Sequence, residues 1–242
     1  MSEKRFDLIS FVTPDLLARA AASAWLEEIE SAGRSGKSHC VALSGGRIAQ
    51  KFFSTAAGMA AGRSIPWKNV HFFWGDERCV PPTDSESNFR LANELLFVPL
   101  KIADQQIHRL RGEDVPHDAV KKAEAELRRF AAASQSGQPV LDLILLGMGE
   151  DGHVASLFPN SARRVIDVTD PFLAVDNSPK PPPRRISLSY AAILAAKNVW
   201  VLASGAGKEA VLKESLATNS ATPLGFVINS RWRTKIFTDL HL

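Results

Sequence analysis

Residues 141–159, LDLILLGMGEDGHVASLFP, set the pattern around which the chain is organised. Leu141 and the apolar run 143–146, broken only by Asp142, end at Gly147. That pattern predicts a strand buried on both faces of a parallel sheet. Loose alternation predicts a first strand over 6–12, stopped at Thr13-Pro14. Leu17, Ala21, Trp25 and Ile29 share one i+4 row and predict a helix over 15–31. Apolar runs at 40–43, 70–74 and 199–203 predict further buried strands, and an alanine-rich helix follows over 48–61. Ser87-Asn88 caps a helix carrying Leu91, Leu95 and Leu96. Pro116 opens another, with Val120, Ala123, Leu127 and Phe130 on one face. Short strands are expected at 107–110, 165–168, 172–175, 185–188 and 235–237, a short helix at 191–196 and a helix running to about 216. Residues 177–183, NSPKPPP, read as a stiff loop. Strands alternating with helices predict an α/β fold: a doubly wound, mostly parallel sheet covered on both faces, with a few peripheral strands.

Composition narrows this picture. The 242 residues suit one large α/β domain, taken as 1–242, and 45% hydrophobic content supports a sizeable core. No apolar run approaches the ~20 residues of a membrane span, and the opening MSEKRFDLIS lacks the apolar stretch of a secretory signal. Cys40 and Cys79 stand far apart in no metal-like spacing, so a reduced, cytoplasmic protein is expected. A formal charge of +3 suits a small anionic substrate and is too dispersed to argue for nucleic acid. No internal repeat is present, and the oligomeric state is not legible, a monomer being the starting expectation.

Four expected strands end in loops with chemical character: SGGR at 44–47, GDER at 75–78, GMGEDGH at 147–153 and SGAGK at 204–208. In a parallel sheet all four open on one edge, where ligands bind. Ser44, Gly45 and Gly46 turn a strand into a helix start whose backbone N–H groups, with Arg47 and Lys208, suit a phosphate; a plain tight turn is the alternative. Ser44 lacks the first glycine of a hydrolase nucleophile elbow. Residues 147–152 match G-x-G-x-x-G, but mid-chain and with Glu150 and Asp151 where a pyrophosphate would lie. Residues 204–208 lack the upstream glycine spacing and the Ser/Thr of a phosphate-binding Walker loop. His153 is the best titratable candidate, able to take a proton from water and return it, with Asp151 to orient it. His39, His71, His108, His117 and His241 show no ligand spacing and read as surface or core. In Asp76-Glu77-Arg78 a local ion pair competes with a functional role. Residues 181–183 present Arg184 and Arg185 to the crevice more simply than they form a polyproline ligand.

These stretches also carry a resemblance. WGDER with the downstream Ser87-Asn88, and GMGEDGHVASLFP, resemble the 6-phosphogluconolactonase family, and LSGG, PPPRRISLS and GAGK fall in that family's order. The similarity spans nearly the whole chain. It implies a Rossmann-like fold shared with glucosamine-6-phosphate deaminases, and hydrolysis of 6-phospho-D-glucono-1,5-lactone without cofactor or metal. By position it implies His153 as general base, Arg78 near the reacting carbonyl, and Asp76, Asn88 and Asp151 shaping the sugar site. Ser44, Gly45, Gly46, Arg47, Arg185 and Lys208 are implied to bind phosphate. Arg47-Ile48-Ala49 departs from the family's usual continuation of SGG, and residues 228–242 depart from its usual ending. The sister deaminase chemistry is implied to need a carboxylate shortly after the DGH histidine, and VASLFPN at 154–160 offers none. A silent sugar-phosphate sensor would have lost the base, yet His153 and Asp151 are both present.

Overall fold

In the computed structural model, residues 5–160 and 165–242 are described. The fully apolar run Leu143–Gly147 (β7) lies near the middle of a six-stranded parallel sheet. Its companions are Phe6–Ser10 (β1), His39–Leu43 (β2), Val70–Trp74 (β3), Asn198–Ala203 (β10) and Thr234–Thr238 (β11), in the order β1-β11-β10-β7-β2-β3. β11 is interior, paired with β10 on one side and with β1 on the other, where Phe6 faces Thr234. A second, antiparallel sheet joins Asp76–Arg78 (β4), Phe172–Val175 (β8) and Arg185–Leu188 (β9) in the order β4-β9-β8. Ala132–Ala133 (β5) and Pro139–Val140 (β6) form a small hairpin.

Helices flank the main sheet. Pro14–Arg34 (α1) is started by Thr13, whose hydroxyl accepts the Leu16 N–H at 3.2 Å. Its apolar face buries Leu17, Ala21, Trp25 and Ile29, as their spacing predicts. Trp25 packs on Phe52 of Arg47–Ala60 (α2), ring centroids 5.4 Å apart, and on Phe72 of β3. Burying each such ring stabilises the fold by about 2–3 kcal/mol. Ser87 caps Asn88–Ala92 (α3), which runs on through a π-turn at Asn93–Phe97 to Val98–Leu100.

Two expected strands are corrected. Residues 107–110 make only one bridge, Ile107 to Phe72, because this segment runs past the sheet edge. Residues 165–168 form a turn closed by Val168 N–H on the Val165 carbonyl. β4, the β5–β6 hairpin and the helix Pro223–Ser230 were not anticipated. Among the described residues no helix is long and apolar enough to cross a membrane.

Candidate active site

The cleft begins where the sheet parts. β2 pairs with β3, and β7 with β10, over five residues each, but β2 and β7 pair only at Val41–Leu143 and Ala42–Ile144. From β2 the chain winds outward to β3, and from β7 it winds the opposite way to β10 and β11. The seam is therefore the switch point of the sheet, where open α/β folds place ligands. Loops 44–47 and 147–153 meet across it. Gly46 is the N-cap of α2 and supplies no side-chain acceptor, so the first-turn N–H groups are left for a ligand. The Ser44 hydroxyl is buried beside them without a hydrogen-bond partner. Arg47 opens α2 as an exposed cation at the helix's positive end, a placement that suits a bound anion.

The second loop folds around an imidazole. Gly149 donates its N–H to the His153 carbonyl at 2.9 Å, and a Cβ on Gly149 would fall 2.0 Å from His153 Nδ1. Only glycine permits that approach. His153 Nδ1 hydrogen-bonds Asp151 Oδ1, and the ring packs on Phe158 at 4.5 Å between centroids. Donation from Nδ1 fixes the tautomer and leaves the Nε2 lone pair to accept a proton. Burial pulls the His153 pKa below its usual value against the opposing pull of Asp151, so the ring is neutral near pH 7. Burial opposes the Asp151 charge, but the bond and charge of His153 prevail and hold that carboxyl below its usual range. Ala155, two residues on, adopts a left-handed backbone with φ of 48° and lines the cleft.

β4 and β9 build the opposite wall. Their register pairs Asp76 with Ser187 and Arg78 with Arg185, and strand alternation sends Glu77 the other way. Asp76 Oδ2 accepts from the Ser156 hydroxyl at 2.7 Å. Asn88 Nδ2 reaches the Asp76 carbonyl at 2.9 Å. A Cβ on Gly45 would lie 1.8 Å from Asn88 Oδ1, so glycine there lets the 44–47 loop close on Asn88. Glu77 accepts N–H bonds from Arg78, Asn88 and Phe89, each at 2.8 Å, and the Ser87 hydroxyl at 3.0 Å. Burial raises its pKa while these N–H groups lower it. It is the cap that locks β4 to α3. The alternative of a local ion pair within 76–78 gives way to longer-range pairs: Arg78 with Glu86 at 3.4 Å and Arg185 with Asp76 at 4.0 Å. Arg78 Nε stays buried and unpartnered.

Arg185 is 4% exposed and commits Nε and Nη2 to the carbonyls of Pro182, Lys180 and Pro181. Its Nη1, 4.0 Å from Asp76 Oδ2, is the arm left toward the cleft. Lys208 donates to the Met148 carbonyl at 2.6 Å, and burial, then the charge of Arg47, lowers its pKa. The cleft, about 150 Å³, is lined by Ser44, Gly45, Gly46, Arg47, Asp76, Arg78, Asn88, His153, Arg185 and Lys208. Every expected site residue except Asp151 lines it, and Asp151 stands behind His153. Ile48, Gly147, Met148, Gly149, Ala155 and Ser204 also line it and were not expected as site residues. Met148 acts through its carbonyl, which no side-chain reading detects.

The family model described as Glucosamine-6-phosphate isomerases/6-phosphogluconolactonase matches residues 12–236. The chain belongs to this family. A 6-phosphogluconolactonase of Haemophilus influenzae is 42% identical over 179 residues, 74% of this chain and 73% of that protein. One of Mycobacterium tuberculosis is 37% identical over 202 residues, covering 82% of this chain and 81% of that protein. The solved 6-phosphogluconolactonase of Trypanosoma brucei superposes with a TM-score of 0.82 at 27% identity, covering 96% of this chain and 95% of that one. The name of the glucosamine-6-phosphate isomerase/6-phosphogluconolactonase family spans two chemistries. Val154, Ala155, Ser156, Leu157 and Phe158, which follow the histidine here, are all buried and none is acidic.

This family member holds a second acid-paired histidine, away from the cleft. His108 Nδ1 meets Glu126 Oε1 at 2.9 Å, and its Nε2 meets His71 Nδ1 at 2.9 Å. Its ring lies between Phe73 and Phe130, at 4.6 and 4.3 Å.

Proposed function

We propose that this family member is a 6-phosphogluconolactonase, hydrolysing 6-phospho-D-glucono-1,5-lactone to 6-phospho-D-gluconate. The observation that carries the reading is a neutral, acid-oriented His153 set among cations and unpartnered donors. The one carboxylate lining the cleft among the described residues is Asp76, already held by Ser156 and Asn88. His153 Nε2 takes a proton from water as its oxygen attacks the lactone carbonyl. Charge gathers on the former carbonyl oxygen, where the free Arg78 Nε is a fitting donor. As the ring C–O bond breaks, the imidazolium returns the proton to the leaving oxygen. Asp151 holds the tautomer throughout. Asp76 and Asn88 hold sugar hydroxyls. Ser44, the α2 N–H groups, Arg47 and Lys208 bind the phosphate, whose remote binding positions the carbonyl. We read the chain as one α/β unit acting in the cytoplasm, where its two free cysteines stay reduced.

The test is hydrolysis of freshly made lactone, coupled to 6-phosphogluconate dehydrogenase, with the spontaneous rate subtracted and ammonia release from glucosamine 6-phosphate followed alongside. Lactone turnover without ammonia is expected. Turnover no faster than the spontaneous rate overturns the reading, and ammonia release would assign the sister chemistry instead.

A further inference from the structure

Asp76 of β4 and Arg185 of β9 stand two residues apart in register, both buried and both lining the cleft. Opposite charges placed so close and so dry attract strongly, and a free pair closes to about 2.8 Å. Here Arg185 Nη1 stops 4.0 Å from Asp76 Oδ2. That gap is held from both sides. Arg185 is tied back by the proline loop, Nε on the Pro182 carbonyl at 3.1 Å and Nη2 on those of Lys180 and Pro181 at 3.0 and 3.2 Å. Asp76 is tied back by Ser156, whose hydroxyl donates to the same Oδ2 at 2.7 Å. Asn88 Nδ2, 3.3 Å from Oδ1, orients the other oxygen.

Ser156 is itself fixed. Its N–H donates to Ser187 Oγ at 3.1 Å, and the Ser187 hydroxyl donates to the Leu188 carbonyl at 2.9 Å, with both serines buried. The chain brings it to Asp76 through a tight turn, closed by Leu157 N–H on the Val154 carbonyl at 2.9 Å. The first central residue of that turn is Ala155, whose left-handed φ of 48° is costly for any residue with a side chain. Ser156 follows His153 by three residues, so one loop carries the imidazole and braces the opposite wall. The gap it keeps has a use. A hydroxyl oxygen can stand about 2.8 Å from both Nη1 and Oδ2, accepting from the first and donating to the second.

We propose that Ser156 is a positioning residue: by holding Asp76 Oδ2 it keeps the carboxylate from closing on Arg185 and leaves a substrate hydroxyl its place between them. The proposal rests on the lactonase reading above for its substrate, but not for its binding and structural tests.

The experiment compares wild type, Ser156→Ala, Asp76→Asn and the double variant, with thermal unfolding to confirm that each is folded. Calorimetric titration with 6-phosphogluconate reads binding independently of turnover. Ser156→Ala is expected to raise KM for the lactone and weaken 6-phosphogluconate binding about tenfold, with kcat within about threefold. In the Asp76→Asn background the same serine change should cost less than about twofold, because no carboxylate remains for it to hold. A merely structural serine would exact its full cost in both backgrounds. A crystal structure of Ser156→Ala should show Asp76 and Arg185 closed to about 2.8 Å. Equal losses in the two backgrounds overturn the proposal. So does unchanged 6-phosphogluconate affinity in Ser156→Ala, a gap that stays at its wild-type width, or wild type that does not bind 6-phosphogluconate. Absent lactone turnover by wild type, with 6-phosphogluconate binding that depends on Ser156 only while Asp76 is present, would instead sink the lactonase reading alone.

Discussion

Two histidines in this molecule are built alike, and only one is placed to do chemistry. His153 with Asp151 and His108 with Glu126 each pair a ring Nδ1 with a carboxylate, and burial lowers the pKa of both rings. The difference lies at Nε2. In His108 that atom is taken by His71, and the side chain is 4% exposed between two phenylalanines. In His153 it is left to accept, on a side chain 16% exposed in a cleft that also holds the unpartnered Arg78 Nε and Ser44 hydroxyl. Pairing with an acid orients an imidazole. An open lone pair in a cleft is what the proposed base requires.

The largest effect that would sharpen this contrast is on turnover. His153→Ala should lower kcat by about a hundred- to ten-thousand-fold. His108→Ala should leave kcat within about twofold while lowering urea-unfolding stability by about 2 kcal/mol. A folded His108→Ala variant without turnover would break the comparison. Next comes the acid partner. Asp151→Asn should cut kcat about a hundredfold by freeing the tautomer. Because Asp151 raises the His153 pKa, its loss should also carry the acid limb of kcat/KM to lower pH. Glu126→Gln should leave that limb where it stands. The smallest effect is on stability against pH. Burial lowers the folded-state pKa values of His71 and His108 from 6.5. Below that pH the unfolded chain therefore binds protons that the folded chain does not. Their contribution is complete above pH 6.5 and is lost as pH falls, at up to about 1.4 kcal/mol per pH unit for each group. His108→Gln should flatten that slope in unfolding measured between pH 7 and pH 5.

The parallel sheet was legible because its four central strands β2, β3, β7 and β10 are largely apolar and each runs into a glycine turn. It hid β4, whose three residues Asp76, Glu77 and Arg78 are all charged and become a strand only by pairing with β9. It hid Pro223–Ser230 because that helix buries Leu224, Gly225, Val227 and Ile228 without a polar stripe to mark a period. At the site, residue types were legible and bonding was not. The proline loop takes Nε and Nη2 of Arg185 and leaves only Nη1 toward the cleft, a division that residue type does not express. Glu77 looked like half of an ion pair and is a helix cap. The proximity of Gly149 to His153 depends on how a five-residue turn folds back on itself, which spacing alone does not express.

The pairing of β1 with β11 has a consequence for how the chain reaches this state. β1 is made long before β11, its one ladder partner among the described residues. Joining them closes a loop of almost the whole sequence, the slowest kind of contact to form. Until β11 leaves the ribosome, β1 has no ladder and β10 is an open edge, inviting pairing with other chains. Nascent chains stalled short of Thr234 are therefore the vulnerable species, and emergence of β11 is the step that completes this sheet.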